Sequence, residues 1–430
     1  MQFLFYCDNR PGFWTLPYEH SLSIMLSVQR LVRLIVLHVL IKLGHSASPT
    51  SEGELLRPLT NNNTPHSQAR EMQILSDNDR YSLCPIERWG KTKYPIERVS
   101  TFYDVSYMEF SQQTTLEDHP ILWIGSDGKR NGICAVDLIT GTIIQTFRFE
   151  GIDKEGDYEA MALGPCTSDP YDDAICIYLG DVGNNIAGWC EDQSCEYGRD
   201  KVKVYKFVEP DLSALSGGDN GGETNIAVST LILDYHHGDL PTNRADCESL
   251  FVDYTGDDVG GCKGDIYLVT KFPYQEYLER LVKVPAHVHE ELRPSDEIQF
   301  SVLPVGTPWG DSLLWTSGAM PLDGTLIALR DYYRIYFFPR SGNVTVSEAL
   351  EQPPCEFTSN TIFGDKEEIW FETVTFFGRD LIAEAPECTR PNKGCNVSVT
   401  VYGLTYDTLA AFDKTDKDDE SSNMNDVGVS

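Results

Sequence analysis

The feature that most constrains this chain is a succession of short apolar segments, each cut off by turn residues, that fills roughly residues 100–412. "ILWIG", "GICAVDL", "TIIQTFRF", "ICIYLGD", "KVKVYKFV", "STLILDY", "SLFVDY", "DIYLVTKF", "TLIALRDY", "RIYFFP" and "VSVTVYGL" are rich in β-branched and aromatic residues. Gly, Asp, Asn or Pro separates them. Helical periodicity is nearly absent, and the best candidate is a turn at Gln275–Arg280. The strands also repeat as units. "DYEAMALGP" leads to "ICIYLGDVGNN", "KVKVYKFVEP" and "STLILDYHHGD"; "DCESLFVDY" leads to "GDIYLVTKF", "LVKVPAH" and "IQFSVLPVG". "SLLWTSGAM" and "WFETVTFFG" open two later units, and a first unit covers about 104–150. Four strands per roughly 50–90 residues is the pattern of an all-β protein of the β-propeller type, built of four-stranded antiparallel sheets. Five blades fit the units, and six stay open. The competing architecture is a β-sandwich with an extra all-β module. The N-terminal lead-in or the last strand is expected to complete the ring.

Two units begin with a pair of acids two apart, Asp157/Glu159 and Asp246/Glu248, and Glu372 holds the matching place in the last. Acids two apart on a strand share a face. The first strand of each propeller blade lines the central channel, so these carboxylates are expected to converge there. Burial and mutual repulsion penalise such a cluster, and a cation relieves both. Ca²⁺ accepts six to eight oxygen ligands, which suits a set of Asp157, Glu159, Asp181, Asn184, Asp246, Glu248 and Glu372. Asn185 lies beside them in "GDVGNN". Lys271, Arg330 and Glu384 stand at the ends of second strands. The two cations either orient an anionic group or pair with the acids. In a catalytic reading Glu248, Lys271, Arg330 and Glu384 carry the reaction. Asp and Asn at strand ends also serve simply as turn formers. His236–His237 are a further candidate base or ligand on a loop.

The chain has 430 residues and a formal charge of -32, which argues against nucleic acid and anionic membrane surfaces as partners. From Met25, basic Arg30 and Arg33 precede an apolar run, and small residues at Gly44–Ser48 follow. This is the order of a secretory signal, so residues 1–48 are predicted to be a leader with Met25 as the true start, a signal anchor being the alternative. Residues 49–99 read as a polar lead-in, and 413–430 as a disordered acidic tail. No stable membrane span is expected. Of the 12 cysteines, close pairs recur at Cys166/Cys176, Cys190/Cys195, Cys247/Cys262 and Cys388/Cys395. Short disulfide loops of a secreted protein are the expectation. Sequons at Asn62, Asn343 and Asn396 permit glycosylation.

The ordered set "DYEAMALGP", "IYLGDVGNN", "VKVYKFVEP", "ADCESLFVD", "DIYLVTKF" and "GTLIALRDY" resembles the motifs of a family of extracytoplasmic β-propeller proteins best represented in bacteria. The order holds from about 157 to 384. The chain departs from it at Asn184, where the family has Asp, at Phe371, where it has Gly, and in a Cys-rich insert, Trp189–Arg199. The resemblance implies a fold and no settled activity. A more distant similarity is to propeller hydrolases that hold Ca²⁺ on the axis, such as lactonases and phytase-like esterases. Together these readings lead to a secreted, disulfide-stapled propeller with an acidic, Ca²⁺-binding pocket. It is expected to be a non-catalytic binding protein for a small anionic ligand or an extracellular protein or glycan. The loops Trp189–Arg199 and Ser213–Thr224 are candidate contact surfaces. The alternative is a metal-dependent hydrolase of phosphoesters, lactones or esters. No GxSxG, P-loop or HExxH motif occurs.

Overall fold

The computed structural model describes residues 92–95, 105–115, 118–126, 132–152, 156–169, 171–183, 202–212, 223–234, 246–256, 263–271, 280–310, 314–340, 344–358, 370–387 and 398–404. All lie in the unit Leu75–Ser430. The leader, most of the lead-in, the acidic tail, the insert Trp189–Arg199, the three sequon asparagines, Asn184, Asn185 and His236–His237 fall outside the described residues. So do Cys190, Cys195, Cys262, Cys388 and Cys395.

The chain begins its described part with β1 (Thr92–Pro95). The first blade is β2 (Tyr107–Thr114), β3 (Pro120–Gly125), β4 (Gly132–Asp137) and β5 (Ile143–Glu150). The second opens with β6 (Tyr158–Pro165), β7 (Ile175–Asp181) and β8 (Val202–Val208), and the chain continues through β9 (Glu223–Ala227) and β10 (Ser229–Asp234). The third has β11 (Cys247–Val252), β12 (Ile266–Thr270) and β13 (Leu281–Val284), followed by helix α1 (Ala286–His289), β14 (Glu297–Ser301) and β15 (Leu303–Gly306). The fourth has β16 (Ser317–Ala319), β17 (Leu326–Arg330), β18 (Arg334–Pro339), helix α2 (Val346–Glu351) and β19 (Cys355–Thr358). The last has β20 (Trp370–Phe377), β21 (Leu381–Glu387) and β22 (Ser398–Gly403). Here β1 pairs antiparallel with β22, Thr92 opposite Val401 and Pro95 opposite Ser398. The earliest described strand thus completes the final blade, as the expectation for the lead-in required.

The five sheets form a five-bladed β-propeller. Their first strands, β2, β6, β11, β16 and β20, touch in turn around a closed ring. Alternating side chains explain why the strands read as continuous apolar runs. In β3, Ile121 and Trp123 pack against the second blade, and Leu122 and Ile124 against the last. In β4, Ile133 and Ala135 face the second blade, and Cys134 and Val136 face the last. The period of two is present, but both faces are buried, so no polar face remains to mark it. The five apolar clusters are the five interfaces between neighbouring blades.

Four expectations need correction. Two blades have five strands, because β9 joins β5 and β14 joins β10, both in parallel. The stretch "IQFSVLPVG" therefore does not form one strand. Its first part is β14 on the second blade, and its second part is β15, paired with β13 on the third. Val302 is the buried pivot between them, as Val228 is between β9 and β10. Each crossing straps the outer edge of one blade to the next. Cys247 keeps its thiol, which donates to the Val269 carbonyl at 3.2 Å, so the expected Cys247/Cys262 bridge is absent. Cys166–Cys176 is a disulfide, as expected, and joins β7 to the segment just after β6. Finally, α2 is a genuine short helix with a capping box, in which the Thr345 side chain accepts from the Glu348 amide and the Glu348 side chain from the Thr345 amide. The Gln275–Arg280 turn lies outside the described residues apart from Arg280.

Beneath α1 the chain buries two groups that ordinarily carry protons. His289 Nε2 lies 3.1 Å from the Gly264 carbonyl, and Lys206 Nζ donates to the carbonyls of Cys166 and His289 at 2.6 and 2.8 Å. Burial, with Lys206 nearby, depresses the His289 imidazole to about 3. Folding must then exclude a proton that the unfolded histidine accepts near 6.5. The stabilisation is present above that value and is lost as pH falls from 6.5 towards 3. His289→Gln should flatten that part of the stability–pH curve measured by urea unfolding. Truncating the pivot, Val302→Ala, should cost about 1–3 kcal/mol. Leu303→Ala, at a side chain 37% exposed, should cost less by the same assay.

Candidate functional site

Glu159, Glu248 and Glu372 share a local irregularity that their sequence spacing does not announce. In each case the antiparallel register shifts at the glutamate: between Tyr158 and Ala160, between Cys247 and Ser249, and between Phe371 and Thr373. Each glutamate is the extra residue of a β-bulge, a device that bends a strand and re-aims one side chain. All three are buried near the start of a channel-lining strand. The sequence-based alignment of these acids is therefore matched by the backbone. The acid two residues earlier is a different kind of group. Asp157 lies just before β6 and is part-exposed, whereas Asp246 is fully buried.

The second-strand ends bring the remaining residues to the same mouth. The Asp181 carboxylate accepts from the Asp157 amide at 2.8 Å, and the Gly183 amide donates to the Asp157 carbonyl at 3.2 Å. A Cβ on Gly183 would meet the side chains of both Asp157 and Glu159 at 2.6 Å, so this backbone lies directly on the acid pair. The neighbouring Val182 carbonyl accepts from the Cys247 amide at 3.3 Å, which carries the contact from the second blade to the third.

Lys271 and Arg330 do what the simpler of their two expected roles requires. Lys271 donates to Glu248 in a buried ion pair within the third blade. Its ammonium lies 5.1 Å from the centre of the Tyr332 ring. Burial opposes its charge, but the Glu248 carboxylate outweighs that and holds the ammonium well above the usual lysine range. The backbone under it is pinned by Arg280, whose Nη2 donates to the carbonyls of Thr270 and Lys271 at 2.8 and 2.7 Å. Arg330 crosses between blades. Its Nη1 donates to Glu384 at 2.5 Å, its Nε to the Phe371 carbonyl at 3.1 Å, and its guanidinium lies 4.8 Å from the Phe371 ring centre. The Tyr402 hydroxyl donates to the other Glu384 oxygen at 2.6 Å. Burial and the Glu384 charge push that phenol well above the tyrosine range.

Tyr332, Arg280 and Tyr402 are site residues that the sequence reading missed. Tyr332 follows "ALRD" directly, and its phenol is raised by burial and by the charge of Glu248, with a smaller contribution from Glu372. It sits where the third, fourth and fifth blades meet at the mouth. Phe371 stands out for another reason. Its ring and carbonyl are what Arg330 packs on.

The oxygen-only donor set is the right chemistry for Ca²⁺. Among the described residues no three His, Cys, Asp or Glu side chains are placed to hold a metal ion, and Glu248 is already held by Lys271.

No model of a known protein family matches the chain, and no curated protein matches it. Solved structures give distant likenesses. The β-propeller domain of Cps50 (Swd1) from Myceliophteria thermophila is 9% identical, over 70% of this chain and 83% of that one, at a TM-score of 0.32. U3-55K is 11% identical, over 74% of this chain and 100% of that one, also at 0.32. A chain of the Chaetomium thermophilum Polycomb Repressive Complex 2 bound to GSK126 is 16% identical, over 69% and 52%, at 0.29. Likenesses this distant carry no argument about activity; the fold is read from the five sheets.

A buried pair that loses one partner leaves an uncompensated charge. Arg330→Met should therefore cost about 3–5 kcal/mol in denaturant unfolding. The double substitution Arg330→Met with Glu384→Leu should recover a large part of that loss.

Proposed function

We propose that this chain is a secreted, non-catalytic binding protein, with the propeller as its scaffold and the acidic mouth as its functional end. The observation that carries this reading is that Lys271 and Arg330 each already hold a carboxylate of the same chain. In a phosphoester or lactone hydrolase these two cations would be the groups to receive the substrate anion. Their commitment to Glu248 and Glu384 favours an extracellular protein or glycan over a small anion as the partner. The mouth also offers an aromatic handle: Tyr333 is 57% exposed beside Tyr332, and tyrosine suits contact surfaces that are part apolar and part wet. The Cys166–Cys176 disulfide supports an oxidising compartment.

Ca²⁺ belongs to this reading as a tie between blades. Because Glu248 is engaged, the ligands would come from Asp157, Glu159, Asp181 and Asp246, with Asn184 as an amide donor. No chemical step is assigned to the ion. Thermal unfolding checks this part: added Ca²⁺ should raise the midpoint by a few degrees, chelator should reverse it, and Asp181→Asn should remove the response. The non-catalytic part is checked by incubating the purified protein, with Ca²⁺, on phosphoester, lactone and carboxylester substrates. No turnover above the blank is expected. Turnover that disappears in Glu248→Gln would establish the hydrolase instead.

A further inference from the structure

At the other end of the channel, where the first strands leave the ring, a cleft of about 350 Å³, counting space open to solvent, is lined by residues of all five blades. Its polar groups are Glu109 and Gln112 from β2 and Tyr254 just beyond β11. Met320, Leu322 and Phe376 contribute apolar wall. Among the described residues the lining contains one carboxylate and no lysine, arginine or histidine. This cleft is separate from the acidic mouth, and nothing in the reading of that mouth depends on it.

Glu109 is held in place from two sides. Its Oε1 accepts from the Phe110 amide at 3.2 Å and from the Thr375 hydroxyl across the junction with the last blade. The side chain is mostly buried, and its remaining exposure is at the cleft it lines. Behind it stands a second carboxylate, Glu209, fixed by the Ser111 hydroxyl at 2.6 Å and the Trp123 indole at 2.7 Å. The Tyr254 hydroxyl is buried and finds no hydrogen-bond partner among the described residues. Both glutamates act on it electrostatically.

We propose that this cleft is a binding site for a small aliphatic primary amine, taken up as its ammonium ion, with Glu109 as counter-ion. The ammonium head is water-sized and brings three donors to a place that holds acceptor oxygens, and its alkyl stem would leave the cleft along Leu322, which is 39% exposed. A neutral alcohol of the same length would bring neither the charge nor the donors. An anion would meet Glu109 with Glu209 behind it.

Binding is coupled to a proton. Desolvation, with a smaller contribution from Glu209, raises the Glu109 carboxyl to about 8, so the empty site is largely protonated at neutral pH. Among the described residues, the groups that face it are Thr375, the Phe110 amide, Glu209 and Tyr254, and none of these is a cation. An arriving ammonium must displace the carboxyl proton. The Glu109 O–H bond breaks, its electron pair stays on the carboxylate, and the proton leaves to solvent. Affinity therefore rises with pH up to about 8.

The experiment is isothermal titration of the full chain with n-butylammonium chloride at pH 6.5 and 8.5, in buffers of different ionisation enthalpy, with n-butanol as the neutral control. The expected result is roughly tenfold tighter binding or more at pH 8.5, and release of close to one proton per ligand at pH 6.5. n-Butanol should not bind, and Glu109→Gln should abolish both binding and proton release. The proton count and pH dependence are read on the wild type, so they test the proposal even if the variant folds poorly. Absence of binding at both pH values, binding of butanol as tight as that of the amine, or affinity independent of pH would each overturn it.

Discussion

Everything at the acidic mouth of this propeller depends on how buried charge is compensated. Glu248, Lys271, Arg330 and Glu384 all lie inside the protein. A buried ion without a partner costs several kcal/mol, so none of the four is tolerable alone. The chain pairs them internally and adds further polar contacts: Tyr402 on Glu384, Phe371 under Arg330, and Tyr332 against Lys271. Because the Arg330 contacts cross from the fourth blade to the fifth, the same interactions that make the mouth polar also fix the blades around it. Specificity of closure is a more natural reading of such pairs than net stability, since well-packed apolar residues could fill the same volume at less cost.

The apolar part of the ring obeys a complementary rule. Every interior strand is covered on both faces, and odd and even residues serve opposite neighbours. A substitution in β3 or β4 is therefore felt at one interface and not at the other, according to its parity. The parallel straps β9 and β14 add a third way of joining adjacent blades, at the outer edge and away from the channel. Inner carboxylates, middle apolar clusters and outer straps thus act at three different radii.

Much of this was legible in the sequence, and the exceptions have physical reasons. The acid-headed strands could be aligned because "DYEA", "DCES" and "WFET" keep a glutamate in one register. The bulge at each glutamate could not be read, because an extra residue in one strand is defined only against its partner. Whether Lys271 and Arg330 would face an anion or a carboxylate was open for the same reason: the answer lies in the separation of β11 from β12 and of β17 from β21. The split of "IQFSVLPVG" was hidden because Val302 continues the alternation of Ile298 and Phe300 and is itself no turn residue. The helix α2, in contrast, was announced by Thr345 and Glu348 three residues apart, a capping signal that the surrounding β pattern obscured. Cys247 shows the limit of spacing arguments, since a nearby cysteine does not make a bridge when the thiol points into its own sheet.

The mouth's cations are neutralised by the chain itself. The most direct measurement is the protonation of Lys271, followed by nitrogen-15 resonances of lysine side chains as pH is raised, with Lys271→Arg for assignment. Exposed lysines lose their protons around pH 10.4. The Lys271 ammonium should remain charged through that range because Glu248 holds it. A Lys271 resonance that titrates with the exposed lysines, or below them, would contradict the pairing and with it the reading of the mouth.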